Sequence, residues 1–304
     1  MLITTIGYRT LIILSVVLLA VAYSVSAQAV TLRVAYVTAN GGSDTNPCTR
    51  SAPCRQVQRG VTRATSGGTV VILDSGEYEN FTITKSVSVI ADKGITAVIG
   101  NSGAYAGATI SDGTAPYIQV TLRGLSFVDS DNGIIVDSQI DTLAVEDCTI
   151  EAPLYGIFAR GPGRYVIKNT QVRHSNYGIW FTTSTRQITA TIDDSRFEYI
   201  GTVGVMASGK SQVTIRNTVS ANNADGFAAS NYGKLVLENC SATYNSSSGV
   251  SAEQSGNISV SNSTIAYNGI GLKNSNSTLR SFGNNRLSNN STNLSGTISL
   301  VSQQ

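Results

Sequence analysis

Between Leu143 and Leu272 short runs of alternating apolar and polar residues end, coil after coil, on one polar residue. They read Val145-Glu146-Asp147-Cys148, Ile167-Lys168-Asn169-Thr170, Ile192-Asp193-Asp194-Ser195, Ile215-Arg216-Asn217-Thr218, Leu237-Glu238-Asn239-Cys240 and Val260-Ser261-Asn262-Ser263. Each unit then reaches a glycine and an apolar residue: Gly156-Ile157, Gly178-Ile179, Gly204-Val205, Gly226-Phe227, Gly249-Val250 and Gly271-Leu272. The interval is about 22 residues, with one longer unit around Asp194. Period-2 alternation predicts strands, and a unit this short cannot bury its own apolar face, so the units must stack.

Stacking lets equivalent residues be compared vertically, one strand spacing apart. The Asp147, Asn169, Asp194, Asn217, Asn239, Asn262 column is expected to be a turn ladder, since Asn and Asp tolerate left-handed backbone and can hydrogen-bond along the stack. The preceding column, Glu146, Lys168, Asp193, Arg216, Glu238, alternates in sign, as does Glu151, Arg173, Glu198. Opposite charges on adjacent strands stabilise by a few tenths of a kcal/mol, which gives the Asp193-Asp194 pair a structural explanation. His174, the single histidine, shares a polar-aromatic turn column with Ala152, Tyr199, Asn222, Tyr244 and Tyr267.

After each glycine, alternation sends Ile134/Val136, Ile157/Ala159, Ile179/Phe181, Val205/Ala207, Phe227/Ala229 and Val250/Ala252 inward. The outward column then starts with Ile135, Phe158, Trp180 and Met206 before turning small or polar at Ala228, Ser251 and Lys273. A second outward column reads Asp137, Arg160, Thr182, Ser208, Ser230, Glu253. Four large apolar side chains on a face that could have been polar mark either a binding surface or a covered satellite core. Aromatic rings on a flat sheet suit stacking against sugar rings.

At the N-terminus, Met1 to Arg9, the apolar run Leu11 to Ala22 and the small residues Val25-Ser26-Ala27 suit a cleaved export signal over 1–27. The apolar run falls short of the roughly 20 residues that span a bilayer. The rest, 28–304, shows no compositional break and is expected to be one domain. Cys48 and Cys54, flanked by Pro47 and Pro53 just after the leader, are expected to form a small-loop disulfide. Cys148 and Cys240 sit four units apart, roughly 19 Å at about 4.8 Å per strand, too far to bridge. They are expected in the same buried slot as Thr170, Ser195, Thr218 and Ser263. Cys54 to Ala64 places Val57, Val61 and Ala64 at helical spacing, and a helix there would cap the open strand edges of the first coil.

Behind that helix come Gly67-Gly68-Thr69-Val70-Val71, then Ser75-Gly76-Glu77-Tyr78, Phe81-Thr82-Ile83 and Val87-Ser88-Val89-Ile90. This order resembles the start of secreted right-handed parallel β-helix repeat proteins of the pectin-lyase-like superfamily, and the resemblance extends through the repeat to about Asn274. It implies an all-β fold: a single-stranded right-handed parallel β-helix, about 22 residues per coil, with a short N-terminal capping helix. The expected layout is strand, cysteine loop and cap helix over 34–66, coils over 69–274 and an irregular last coil over 275–304. The resemblance is specific for fold and unspecific for activity, because one scaffold hosts many functions.

Charged residues make up 13% of the chain and the net charge is +2, which offers no basic field for nucleic acid. Pectate-lyase-like catalysis, as the resemblance implies it, needs clustered carboxylates holding calcium and an Arg or Lys base on one sheet. Asp137 and Arg160, with Arg164 nearby, are the outward set that approaches this, and the same spacing fits a cross-strand ion pair. Asp129-Ser130-Asp131-Asn132-Gly133 looks like a calcium loop whose glycine comes one residue too early for the EF-type spacing. No Gly-His-Gly segment, Ser/His/Asp order or His/Cys metal cluster accompanies them. The expectation is therefore a secreted, periplasmic or cell-surface monomer with no membrane span after signal cleavage. It would bind a polysaccharide or cell-surface glycan through Ile135, Phe158, Trp180 and Met206, without catalysis or cofactor. A calcium-assisted lyase and a purely structural or adhesive module are the alternatives.

Overall fold

The computed structural model describes residues 31–111 and 117–302; the expected 1–27 leader lies outside the described residues. All strand pairs it forms are parallel, apart from an isolated antiparallel bridge at Thr49 and Ala52. Each coil of about 23 residues contributes one strand to each of three sheets. In one representative coil these are Ile140–Glu146 in the first sheet, Thr149–Glu151 in the second and Tyr155–Ala159 in the third. The next coil repeats them as Gly163–Lys168, Gln171–Arg173 and the start of Tyr177–Asp193. The second sheet has ten strands. The third and first are continuous where Tyr177–Asp193 and Val203–Arg216 run through the corner unbroken.

The alternation places the core where it was expected. Ile134, Val136, Ile157, Ala159, Ile179, Phe181, Val205, Ala207, Phe227, Val250 and Ala252 are all fully buried, and Ala229 very nearly so. Burying a side chain such as Ile or Phe stabilises by roughly 1.5–3 kcal/mol, and each neighbouring coil supplies the partners. The recurring glycine is a matter of space. A Cβ on Gly156 would lie 2.3 Å from the Val172 side chain and 2.5 Å from the Gly178 carbonyl oxygen, because the corner into the third sheet folds against the second.

The turn ladder is left-handed throughout, with φ between 46° and 54° from Asp147 to Asn262. Asn169 Nδ2 donates to Asp147 Oδ1 (2.7 Å) and Asn239 Nδ2 to Asn217 Oδ1 (2.8 Å), while Asn217 turns to Asp193 instead of Asp194. The alternating-charge columns hold in register, with Arg216 3.8 Å from Asp193 and Arg173 bonded to Glu151. Glu198 departs from that pattern, since it is taken by Arg196 on its own strand at 2.6 Å.

A second ladder, inside the stack, was not anticipated. Asn223, Asn245 and Asn268 are buried and Asn290 continues their line; each Oδ1 accepts a backbone N–H from the previous coil, at 2.8–3.1 Å. Their Nδ2 groups donate to buried carbonyls such as Ser220 O and Ala242 O.

At the N-terminal end, β1 (Leu32–Val37) pairs with β2 (Ala64–Ile72), and α1 (Val57–Arg63) packs on both, shorter than its 54–64 expectation. Cys48 and Cys54 are bonded, with 4.6 Å between their Cα atoms. Cys148 and Cys240 are free and buried, as expected. The 275–304 segment is more regular than anticipated. It carries Thr278–Phe282, Arg286–Ser288, Thr292–Ser295 and Ser299–Val301, each paired with the coil above, because strand pairing and the Asn ladders continue through it. Among the described residues no helix is long and apolar enough to cross a membrane.

Candidate functional site

The outward face of the third sheet is set by register: Ile135 pairs with Phe158, Phe158 with Trp180, and Trp180 with Met206. These neighbours do not share one exposure. Ile135 is fully buried, whereas Phe158, Trp180 and Met206 are half-buried. Ile135 therefore supports the stripe and offers no surface of its own.

Two tyrosines complete the patch. Tyr155 and Tyr177 precede the corner glycines and pair with each other, and the bend at glycine brings them onto the same outer face. Tyr155 stacks on Phe158 with centroids 4.4 Å apart and on Tyr177 at 5.3 Å; Tyr177 stacks on Trp180 at 5.0 Å. Phe158 and Trp180 are 5.4 Å apart. The result is a four-ring platform two coils deep. Burial beside Tyr177 and Tyr105 holds the Tyr155 phenol above its ordinary pKa, so it presents a neutral O–H at all ordinary pH. The buried Trp180 Nε1 has no hydrogen-bond partner among the described residues, so this indole offers its ring and not its N–H. The column before glycine (Asn132, Tyr155, Tyr177, Val203, Asp225) carried the signal, because its aromatics fall in the same two coils as Phe158 and Trp180.

Of the candidate acid/base set, the structure joins two members and separates the third. Arg160 Nε donates to Asp137 Oδ1 at 2.9 Å, a second bond runs from Nη2, and the guanidinium lies 5.0 Å over the Phe158 ring. The hydrogen bond to Asp137 holds the Arg160 pKa above its ordinary value, against the pull of burial. Arg164 lies in the first sheet, paired with Thr142 and Thr189, beyond the bend at 161–162. Asp129 and Asp131 face a surface hollow with Glu151 and His174. His174 is 3.5 Å from Glu151 and stacks on Tyr199. Among the described residues no group of three or more His, Cys, Asp or Glu is placed to hold a metal.

The 182–187 loop, which runs through the Tyr177–Asp193 strand, is tied down on two sides. Arg186 Nη1 donates to Gln139 Oε1 (2.7 Å) and Lys210 Nζ to Thr185 O (2.9 Å), which pins the loop beside the platform. It forms one wall of a cleft of about 730 Å³ whose other walls include Arg160, Lys210 and Tyr232.

The family described as a right handed beta helix region matches residues 178–303. The same parallel stacking continues through the coils before residue 178. The chain is a right-handed β-helix repeat protein. Comparison with curated proteins returned no match. Among solved structures, the β-helix is similar to pectate lyase Pel9A, at 16% identity over 90% of this chain and 79% of that one, TM-score 0.54. It is also similar to XylC in complex with xylose, at 10% identity over 84% and 69%, TM-score 0.60. A third is alginate lyase from Paenibacillus sp. str. FPU-7, at 14% identity over 86% and 99%, TM-score 0.56. At these identities the likeness is one of fold.

Proposed function

We propose that this β-helix is an exported protein that binds a polysaccharide on the outer face of its third sheet, without cleaving it. The observation that carries the reading is the four-ring platform of Tyr155, Phe158, Tyr177 and Trp180. Clustered half-buried rings on a flat face match the apolar C–H faces of pyranoses. The adjoining cleft supplies hydroxyls and two cations, Arg160 and Lys210, along the edge of that surface. The names of the similar structures, a pectate lyase, an alginate lyase and a protein in complex with xylose, agree with a carbohydrate ligand. The disulfide supports export, since such bonds persist in oxidising compartments.

The bonding of Arg160 argues against the lyase alternative. A base must lose its proton, and a guanidinium held by Asp137 above its ordinary pKa keeps it. Trp180 is the single tryptophan, so titration with neutral and acidic polysaccharides while following its emission reports on the platform directly. The expected result is a saturable shift that weakens at least tenfold in Phe158→Ala. No shift with any polysaccharide would sink the reading. Ultraviolet absorbance from unsaturated products, on incubation with uronate polymers and calcium, would replace it with the lyase.

A further inference from the structure

The corner between the second and third sheets carries a column of exposed left-handed residues: His174, Tyr199, Asn222, Tyr244 and Tyr267, with φ from 54° to 59°. A left-handed corner throws its side chain outward, clear of both sheets. Each of the three tyrosines is accordingly more than half exposed. Where neighbouring coils both carry a ring, the rings close on one another: His174 on Tyr199 at 5.6 Å, and Tyr244 on Tyr267 at 4.9 Å with planes 4° apart.

Asn222 interrupts that stack. The strands before it pair in register with those on both sides, so Tyr199 and Tyr244 are successive neighbours of Asn222 in the column. Their backbone corners are therefore two strand spacings apart, roughly 10 Å. The gap is an open hollow of about 500 Å³, walled by Tyr199 and Tyr244 with Asn222, Gly201 and Ser246 between them. The Asn222 amide makes no side-chain hydrogen bond among the described residues, while its backbone N–H is satisfied by Thr243 O. Aromatic pairs prefer centroids 4.5–7 Å apart, and Tyr199 and Tyr244 stack outward on His174 and Tyr267, which leaves their inner faces to the hollow.

We propose that this slot is a second carbohydrate site, which clasps one pyranose ring between Tyr199 and Tyr244 and hydrogen-bonds it through the Asn222 amide. A saturated six-membered ring packs at about 4 Å from each aromatic face and so needs about 8 Å between them, which the roughly 10 Å spacing of the two corners admits. Being gripped on both faces requires axial C–H bonds above and below and hydroxyls around the rim. That is the geometry of an all-equatorial sugar, as in a β-linked glucose chain, and an axial hydroxyl would collide with one tyrosine. The slot lies on a different corner from the platform, and the proposal stands whether or not the platform binds.

Cellohexaose is the probe, with calorimetry on the full chain carrying Trp180→Ala, so that the platform does not contribute. This background should bind, and adding Tyr244→Ala should weaken binding at least tenfold. Asn222→Tyr, which closes the gap with a residue the column accepts at three other coils, should abolish binding and leave Tm equal or higher. Binding in the Trp180→Ala background separates the slot from the platform. A hexasaccharide of β-linked mannose, with an axial hydroxyl, should bind at least tenfold more weakly. Absence of cellohexaose binding, or binding that survives Asn222→Tyr, would overturn the assignment.

Discussion

Asp74 shows how much one side chain can organise at the capped end. Its carboxylate accepts from the Ala39 N–H (2.7 Å), the Asn40 N–H (2.9 Å) and the Tyr78 hydroxyl (2.6 Å), tying the start of the cysteine loop to the second coil. Burial alone would raise its pKa, but those donors outweigh it and hold the carboxyl well below the usual carboxylate range. Burial, followed by the bond to Asp74, pushes the Tyr78 phenol above its ordinary value. A depressed carboxyl stabilises above its unfolded pKa and loses that contribution as pH falls. A raised phenol stabilises below its unfolded pKa and loses it as pH rises. The pair should thus stabilise fully between about pH 4 and pH 10, the ordinary Asp and Tyr values, and weaken outside that window. Thermal melts should show Asp74→Asn less stable at pH 7 by about 1–3 kcal/mol, with a flatter decline below pH 4. A parallel acid limb in wild type and variant would show that Asp74 is not the linked group.

At the scale of an element, the turn columns carry most of the specificity. The slot after the ladder residue accepts a small donor in six successive coils: Cys148, Thr170, Ser195, Thr218, Cys240 and Ser263 all donate to the carbonyl two residues back, at 2.7–3.3 Å. That equivalence was legible from sequence, because neighbours in the chain set the turn and the repeat displays it six times. The buried ladder was not legible, although Asn223, Asn245 and Asn268 stand one residue after the aromatic turn column. An asparagine in a turn is ordinary on the surface, and only the closing of the coil shows its side chain facing inward. Asn245 receives the Asn223 N–H and donates to Ser220 O and Asn268 Oδ1. Asn245→Ala should strip these buried groups of partners and cost about 3 kcal/mol in denaturant unfolding. Asn239→Ala, in the exposed outer ladder, should cost under about 1 kcal/mol. Equal costs would mean that the inner ladder is no more than a turn preference.

Across the whole β-helix, stability is a sum over neighbouring coils, and the first coil is shielded by α1. That helix sits close because Gly60 has no side chain; a Cβ there would lie 2.8 Å from both Val37 and Val70. Gly60→Leu should lift the cap, and hydrogen exchange should quicken in β1 and β2 while Lys234–Glu238 and Asn257–Ser261 stay protected. Uniform acceleration would mean that the stack unfolds as one unit. The two aromatic surfaces belong to this scale as well. Each is assembled from residues 22 to 45 positions apart, the platform by adjacency of two coils and the slot by an asparagine standing between two tyrosines.

The sequence by itself determined the coil period, the inward-facing set, the outer ladder and the cysteine roles, because each follows from alternation and turn chemistry among near neighbours, repeated until the pattern is unmistakable. The tertiary structure alone decided which outward side chains meet solvent. Ile135 disappears beneath its neighbours, Tyr155 and Tyr177 swing onto the face at the glycine bends, and Arg164 is carried to another sheet. Alternation says which side of a strand a residue occupies. Access depends on the size of the side chain one coil away and on how sharply the corner turns, and those are settled only when the coils stack.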